Sequence, residues 1–318
     1  MEYSKKMTAS LLGKRRLTMS GKKSFFLLFV VVLLIPAVSS ARDISPFVSI
    51  DWLEQNLSNP RLVVVDTRRV EEYKKGHIAG AVSASSGLWM IEMNGLLLEL
   101  PAEDSLLALI GSLGITGDSM VVAVGKGESD YDRADATRVA WTLLTAGVKN
   151  VAVLDGGYAK WLKDKKAVSV DQRTPKAGEY RTKVDRSVIV SKNYVLEKIG
   201  KSAILDARIP EVFFGVVTEA FAPKPGHIKS AAVLPAPWAY NKDGILRSKD
   251  EIEAMESGII GKDRSKEVIV YCGVGGYAAT WSFLLTEMLG YKNVKFYDGS
   301  MQEWIKDPKA PVTVFSWH

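Results

Sequence analysis

From residue 42 onward the chain alternates short, wholly apolar runs with longer stretches of mixed character. Leu62–Asp66, Val121–Val124 and Val151–Leu154 are β-branched runs, and Ile204–Asp206, Val268–Tyr271 and Val294–Tyr297 repeat the theme. A strand with one buried face alternates apolar and polar residues, whereas one covered on both faces is apolar throughout, as in parallel sheets. Between these runs lie helical stretches such as DSLLALIGSLGI (104–115) and AATWSFLLTEMLGY (278–291), the latter stopping at Gly290. Strand, helix and strand in alternation predict an α/β fold of doubly wound parallel sheets flanked by helices. The Trp and Met residues along the helices are expected in the core.

The pattern occurs twice. VVVDTR (63–68) returns as AILDAR (203–208), KKGHIAGAV (74–82) as KPGHIKSAAV (224–233), and GVKNVAVLDGGYAKW (147–161) aligns without a gap to GYKNVKFYDGSMQEW (290–304). The lead-ins VSIDWLEQNL (48–57) and VSKNYVLEKI (190–199) each place a serine to cap a helix. Matches in one order at similar offsets describe a duplication. The expected organisation is a first domain over 42–165, a polar linker over 166–183 and a second domain over 184–318.

Residues 1–41 stand apart. A basic stretch precedes the apolar run Phe25–Ile35, Pro36 and small residues ending at Ala41. That run is about half of the roughly 20 apolar residues a membrane span needs, and it has the layout of a cleavable secretory signal, with an uncleaved N-terminal anchor as the alternative. Export is therefore expected, to the periplasm in a Gram-negative source, with translation starting at Met1 or Met19. Residues 1–41 hold seven of the 42 basic groups and one of the 36 acidic ones, so the remainder is close to neutral. The excess of positive charge belongs to the leader and gives no reason to expect nucleic acid. No stable membrane association is expected after cleavage, and a monomer is favoured with the oligomeric state left open.

Exported proteins commonly pair their cysteines, yet this chain has one, Cys272. It follows the strand Val268–Tyr271 and opens the loop CGVGGYA before a helix. Ligands of doubly wound sheets bind at carboxyl ends of strands, beside helix N-termini. The backbone N–H groups of Gly273, Val274, Gly275, Gly276 and Tyr277 are predicted to curl into a nest that stabilises the Cys272 thiolate and lowers its pKa. The alternative is a buried cysteine that merely fills space.

These residues together resemble the rhodaneses in their tandem two-domain form: the repeat, the Asp-x-Arg strand ends, the Gly-His-Ile segments, the Asp-Gly…Trp endings and the strand–Cys–glycine loop. The resemblance covers essentially everything after residue 41. It implies a sulfurtransferase in which Cys272 takes a sulfane sulfur from thiosulfate or 3-mercaptopyruvate and passes it, as a persulfide, to a thiophilic acceptor such as cyanide or a thiol. It also implies a first domain without chemistry, since Gly125 stands opposite Cys272. Arg208 is the candidate to hold the donor's anionic end, or else a structural ion pair, as Arg68 at the matching place suggests. The uncharged loop departs from many thiosulfate-using relatives and resembles that of mercaptopyruvate enzymes.

His77 and His227 occur in both halves and are expected to serve the fold; Asp155 and Asp298 read as turn residues. Three histidines without ligand-like spacing give no support for a metal, and no cofactor is expected. A cysteine phosphatase or arsenate reductase would need an arginine near position 278, where the chain has Ala278. A non-catalytic module binding sulfur species is the remaining alternative.

Overall fold

The computed structural model describes residues 42–315; the expected leader lies outside them. The first half forms a five-stranded sheet in the order Phe47–Val48, Asn150–Leu154, Met120–Val124, Leu62–Asp66, Val82–Ser83, all parallel. The second half repeats it in four strands: Val294–Phe296, Val268–Tyr271, Ala203–Asp206, Ala232–Val233. A single parallel bridge, Ile189 to Phe296, stands where the first half has its edge strand. Leu62–Asp66, Met120–Val124 and Val268–Tyr271 are buried at every position, which is why their sequences do not alternate. Ser49 and Ser191 accept from the N–H groups of Trp52 and Tyr194 and cap matching helices, Ile50–Asn56 and Lys192–Lys198.

The two halves share a core. One cluster of buried side chains runs from Val65, Ala123 and Val139 to Val270, Trp281 and Phe283, while a smaller cluster backs each sheet on its own side. Each such side chain contributes about 1.5–3 kcal/mol through burial. The helices Asp130–Thr145 and Gly276–Phe283 meet at the centre, where the hydroxyls of Thr137 and Thr280 lie 2.9 Å apart. These threonines sit 143 positions apart, the offset that aligns residues 147–161 with 290–304. Equivalent residues that touch each other lie beside a twofold axis, so the hydroxyl pair marks the pseudo-dyad of the duplication. One residue further on, symmetry fails: the first half has Arg138 and the second has Trp281.

The segment between the halves runs over the first as extended chain. Ser169 exchanges both backbone hydrogen bonds with His77, and Gly178 N–H donates to Gly111 O. Among the described residues, no helix is long and apolar enough to cross a membrane.

Candidate active site

Cys272 ends the fully buried strand Val268–Tyr271, and its side chain is buried too. The loop that follows turns sharply because Gly275 has φ +90°, in the left-handed region that disfavours a side chain. This turn aims the Gly275 N–H at Cys272 Sγ, 3.0 Å away. The Val274 and Ala278 N–H groups also act on the sulfur and lower its pKa. The nest therefore exists, but its donors are Val274, Gly275 and Ala278. Ala278 was not among the residues expected from the sequence. Gly273 serves space rather than backbone freedom: a Cβ there would collide with Glu219 Oε2 and the Phe221 ring.

The cleft over the thiol is small, with a volume of about 40 Å³. Gly273, Val274, Gly276 and Tyr277 line it beside Cys272, and Glu219 and Phe221 come from the segment before the second Gly-His-Ile. The first half supplies the facing wall: Leu98, Tyr131, Ala134 and Asp135. The rings of Tyr131 and Tyr277 stack across the junction at 5.2 Å. Sequence patterns local to one half cannot show such a wall.

A hairpin, Ile91–Met93 and Leu96–Glu99, carries Leu98 into place. The Gln302 amide pairs with both backbone groups of Leu97, at 2.8 Å each, and Lys306 Nζ donates to Gly95 O. Leu98 has φ +60°, a strained conformation for leucine. Its carbonyl accepts from Arg138 Nη2 at 2.7 Å, one of the contacts that hold the strain. Arg138 also pairs with Asp298 at 2.8 Å, both groups being buried.

Asp298 is more than a turn residue, because its Oδ2 accepts from Leu100 N–H of the first half. Asp155 does the same in reverse, accepting from Leu246 N–H of the second. The two aspartates thus bind the halves reciprocally about the pseudo-dyad.

Arg208 does not line the cleft. Nε and Nη2 grip both oxygens of Asp206, and Nη2 also donates to Gly226 O at 2.9 Å. Arg68 makes the same contacts with Asp66 and Gly76 O in the half without a cysteine. The expectation that Arg208 clamps an anionic donor meets a guanidinium whose Nε and Nη2 are already engaged by the fold, as those of its duplicate Arg68 are. The histidines are likewise matched. His77 Nδ1 contacts Tyr73 O and stacks on that ring, while His227 Nδ1 contacts Phe213 O and stacks on its ring. Among the described residues, no group of three or more His, Cys, Asp or Glu could hold a metal ion.

The electrostatics reverse a second expectation. Burial pushes the Cys272 thiol up, the amides of Ala278, Val274 and Gly275 pull it down, and Glu219 pushes it up again; the outcome lies above the ordinary value. With no Lys, Arg or His lining the cleft, desolvation of the buried thiol outweighs the amides. Glu219 itself is pushed up to about 7 by burial, with Arg208 opposing and Asp206 reinforcing the shift.

The first half shows what the thiol's address looks like when closed. Strand register places Gly125 after Val124, as Cys272 follows Tyr271, since Val124 and Tyr271 pair with Asp66 and Asp206 respectively. A Cβ on Gly125 would lie 2.8 Å from Asp132 O and 2.9 Å from the Ala136 methyl. No side chain fits there.

A single thiol held by amides at a strand end, in one copy of a duplicated α/β fold, defines a cysteine group-transfer site. Comparison with known proteins agrees with that class. Residues 49–164 and 191–307 each match the rhodanese-like domain. The chain is 32% identical over 278 residues to a Mycolicibacterium smegmatis protein named "Putative thiosulfate sulfurtransferase", covering 85% of this chain and 98% of the relative. It is 29% identical over 272 residues to the sulfur carrier protein TtuD of Thermus thermophilus, covering 81% and 92%. The crystal structure of Escherichia coli SseA, described as a 3-mercaptopyruvate sulfotransferase, superposes with a TM-score of 0.69 at 28% identity, covering 81% of this chain and 99% of that one. The chain belongs to the rhodanese family and carries its domain twice.

Proposed function

We infer that this sulfurtransferase carries sulfane sulfur on Cys272 as a persulfide. The thiolate attacks the outer sulfur of a donor, the S–S or C–S bond of the donor breaks, and the remainder leaves. Sulfite leaves from thiosulfate, the donor in the M. smegmatis relative's name; pyruvate leaves from 3-mercaptopyruvate, the compound in the description of E. coli SseA. The terminal sulfur then passes to a thiophilic acceptor, cyanide or a thiol, and Cys272 is restored. The observation that carries this reading is the asymmetry of the two halves. Val274, Gly275 and Ala278 point their amides at a sulfur in the second half, where an anion forms during transfer, while the first half has no room for a side chain at that place.

Arg208 spends Nε and Nη2 on the fold in this reading, and the loop amides receive the reacting sulfur of the donor. The raised thiol pKa favours the protonated form of Cys272 before a donor binds. Mass spectrometry of the protein incubated with thiosulfate or 3-mercaptopyruvate is expected to find one added sulfur on the Cys272 peptide, removable by reductant. Cys272→Ser is expected to abolish both the adduct and turnover. No adduct with either donor would leave a binding module as the better reading. We also propose export through residues 1–41, tested by N-terminal sequencing of the protein from an extracytoplasmic fraction, where a new terminus near Ala41 is expected.

A further inference from the structure

Burial favours the protonated form of Cys272 before a donor binds. Attack on a donor needs the thiolate, so a group nearby has to take that proton. The walls of the cleft offer few bases. No histidine lines it, and His227 is stacked on Phe213 with its Nδ1 against Phe213 O. Burial pushes the Tyr277 hydroxyl up, away from any role as a base at neutral pH. Asp135 stands on the wall from the first half and accepts from the Ser86 hydroxyl at 3.1 Å. Glu219 remains. Its Oε2 is buried without a hydrogen-bond partner among the described residues, and it packs so closely over Gly273 that a Cβ there would collide with it. Gly273 directly follows Cys272. Both Glu219 and Cys272 line a cleft of about 40 Å³, a space on the scale of about three water molecules.

We propose that Glu219 is the proton relay of the reaction: through a water in the cleft it takes the Cys272 proton as the donor arrives, and it returns that proton to the product. The proposal rests on the persulfide reading above. With 3-mercaptopyruvate, the thiolate attacks the donor sulfur, the C–S bond breaks and its electron pair stays on carbon. Glu219 protonates that carbon to give pyruvate, and the new S–S bond leaves Cys272–S–SH. With thiosulfate, the S–S bond breaks towards sulfite, and the proton goes to the terminal sulfur of the persulfide. Atoms and electrons balance in both cases without an added oxidant or reductant.

Anionic donors suit this role. Negative charge close by favours the neutral form of a carboxyl, so Glu219 meets the donor as an acid once it holds the proton. The thiolate meanwhile keeps the amides of Val274, Gly275 and Ala278, whereas Oε2 has no such donors.

The groups facing Glu219 decide where it titrates. Burial pushes it up to about 7, with Arg208 opposing and Asp206 reinforcing the shift. Cys272 and Tyr277 adjoin it from the loop, and Asp135 and Tyr131 share the cleft from the Asp130–Thr145 helix. Glu219 can accept a proton above about pH 7 and already holds one below it. Persulfide formation should therefore rise as pH passes upward through that value and then level off.

The test follows single-turnover persulfide formation by mass spectrometry, with thiosulfate or 3-mercaptopyruvate, from about pH 5.5 to about pH 9. The wild-type rate is expected to climb to a plateau a little above pH 7. Glu219→Gln is expected to form persulfide at least about tenfold more slowly and to lose the inflection, although its thiol is alkylated at lower pH than in the wild type. Those opposite shifts separate a relay from a charge that only hinders the thiol, since removing such a charge speeds both reactions. Alkylation of the variant also reports that its loop is folded. A Glu219→Gln rate equal to or above the wild type overturns the proposal. So does a wild-type rate that keeps climbing beyond about pH 8.5, where an unassisted thiol titrates. Absence of any persulfide in the wild type overturns the underlying reading instead.

Discussion

The loop after Val124 and the loop after Tyr271 began as copies and now do opposite things. The first is filled by its own helix, with Asp132 O and the Ala136 methyl occupying the space a side chain at Gly125 would need. The second keeps that space for a sulfur and turns three amides towards it. Around both loops the frame is unchanged: Asp66 with Arg68, Asp206 with Arg208, and each histidine stacked on an aromatic ring. Groups retained in both copies support the fold, and groups present in one copy are where function is to be sought. That contrast counts the bonds of Arg208 to Asp206 and Gly226 O with the scaffold, and it draws attention to Arg138, which has no counterpart across the dyad.

The comparison is broken most severely at the frame. Arg68→Met and Arg208→Met each leave a buried aspartate without its partner, which costs about 3–5 kcal/mol. Denaturant unfolding is expected to show similar losses for the two. Intact stability in Arg208→Met, together with a raised KM for the donor, would return that arginine to substrate binding.

Gly125→Cys tests whether the silent loop can be reopened by one residue. Overpacking against Asp132 O and Ala136 is expected to lower stability by about 1–3 kcal/mol. Mass analysis should find no persulfide at the new cysteine.

Glu219→Gln sharpens the electrostatic side. Removing a charge that raises the thiol pKa should lower the apparent pKa for alkylation of Cys272. An unchanged profile would show that burial alone sets the thiol.

The smallest effect lies on the dyad itself. Thr137→Val or Thr280→Val alone removes one partner of the hydroxyl pair and is expected to cost about 1 kcal/mol. The double variant should cost less than the two singles combined, a coupling that thermal unfolding can measure.

Much of this was legible in the sequence because it is local or repeated. Unbroken β-branched runs mark parallel strands, the duplication gives two domains of one kind, and the strand-end position of Cys272 follows from the order of residues alone. Two parts were not legible. The thiol pKa was read from dipoles alone, yet it is decided by desolvation and by Glu219, whose approach depends on how the segment before Gly226 folds back. The wall supplied by the first half was invisible as well, because Leu98, Asp135 and Arg138 reach the loop only through docking about the pseudo-dyad. Asp155 and Asp298 were read as turn residues for the same reason. One signal was available: the gapless alignment, carried back to the central helices, sets Arg138 against Trp281. A charge facing a tryptophan in duplicated helices marks an interface that has ceased to be symmetric.

The hairpin ending at Glu99 has an evolutionary consequence. Gln302 and Lys306 bind it from the helix Ser300–Trp304 and the turn after it, and Arg138 secures Leu98 from behind. A mutation that loosens the silent copy therefore reaches the thiol pocket without passing through the chemistry. Selection can act on that copy through its docking groups while its own loop changes freely, which lets one half of a duplicated enzyme lose its reaction and still be kept.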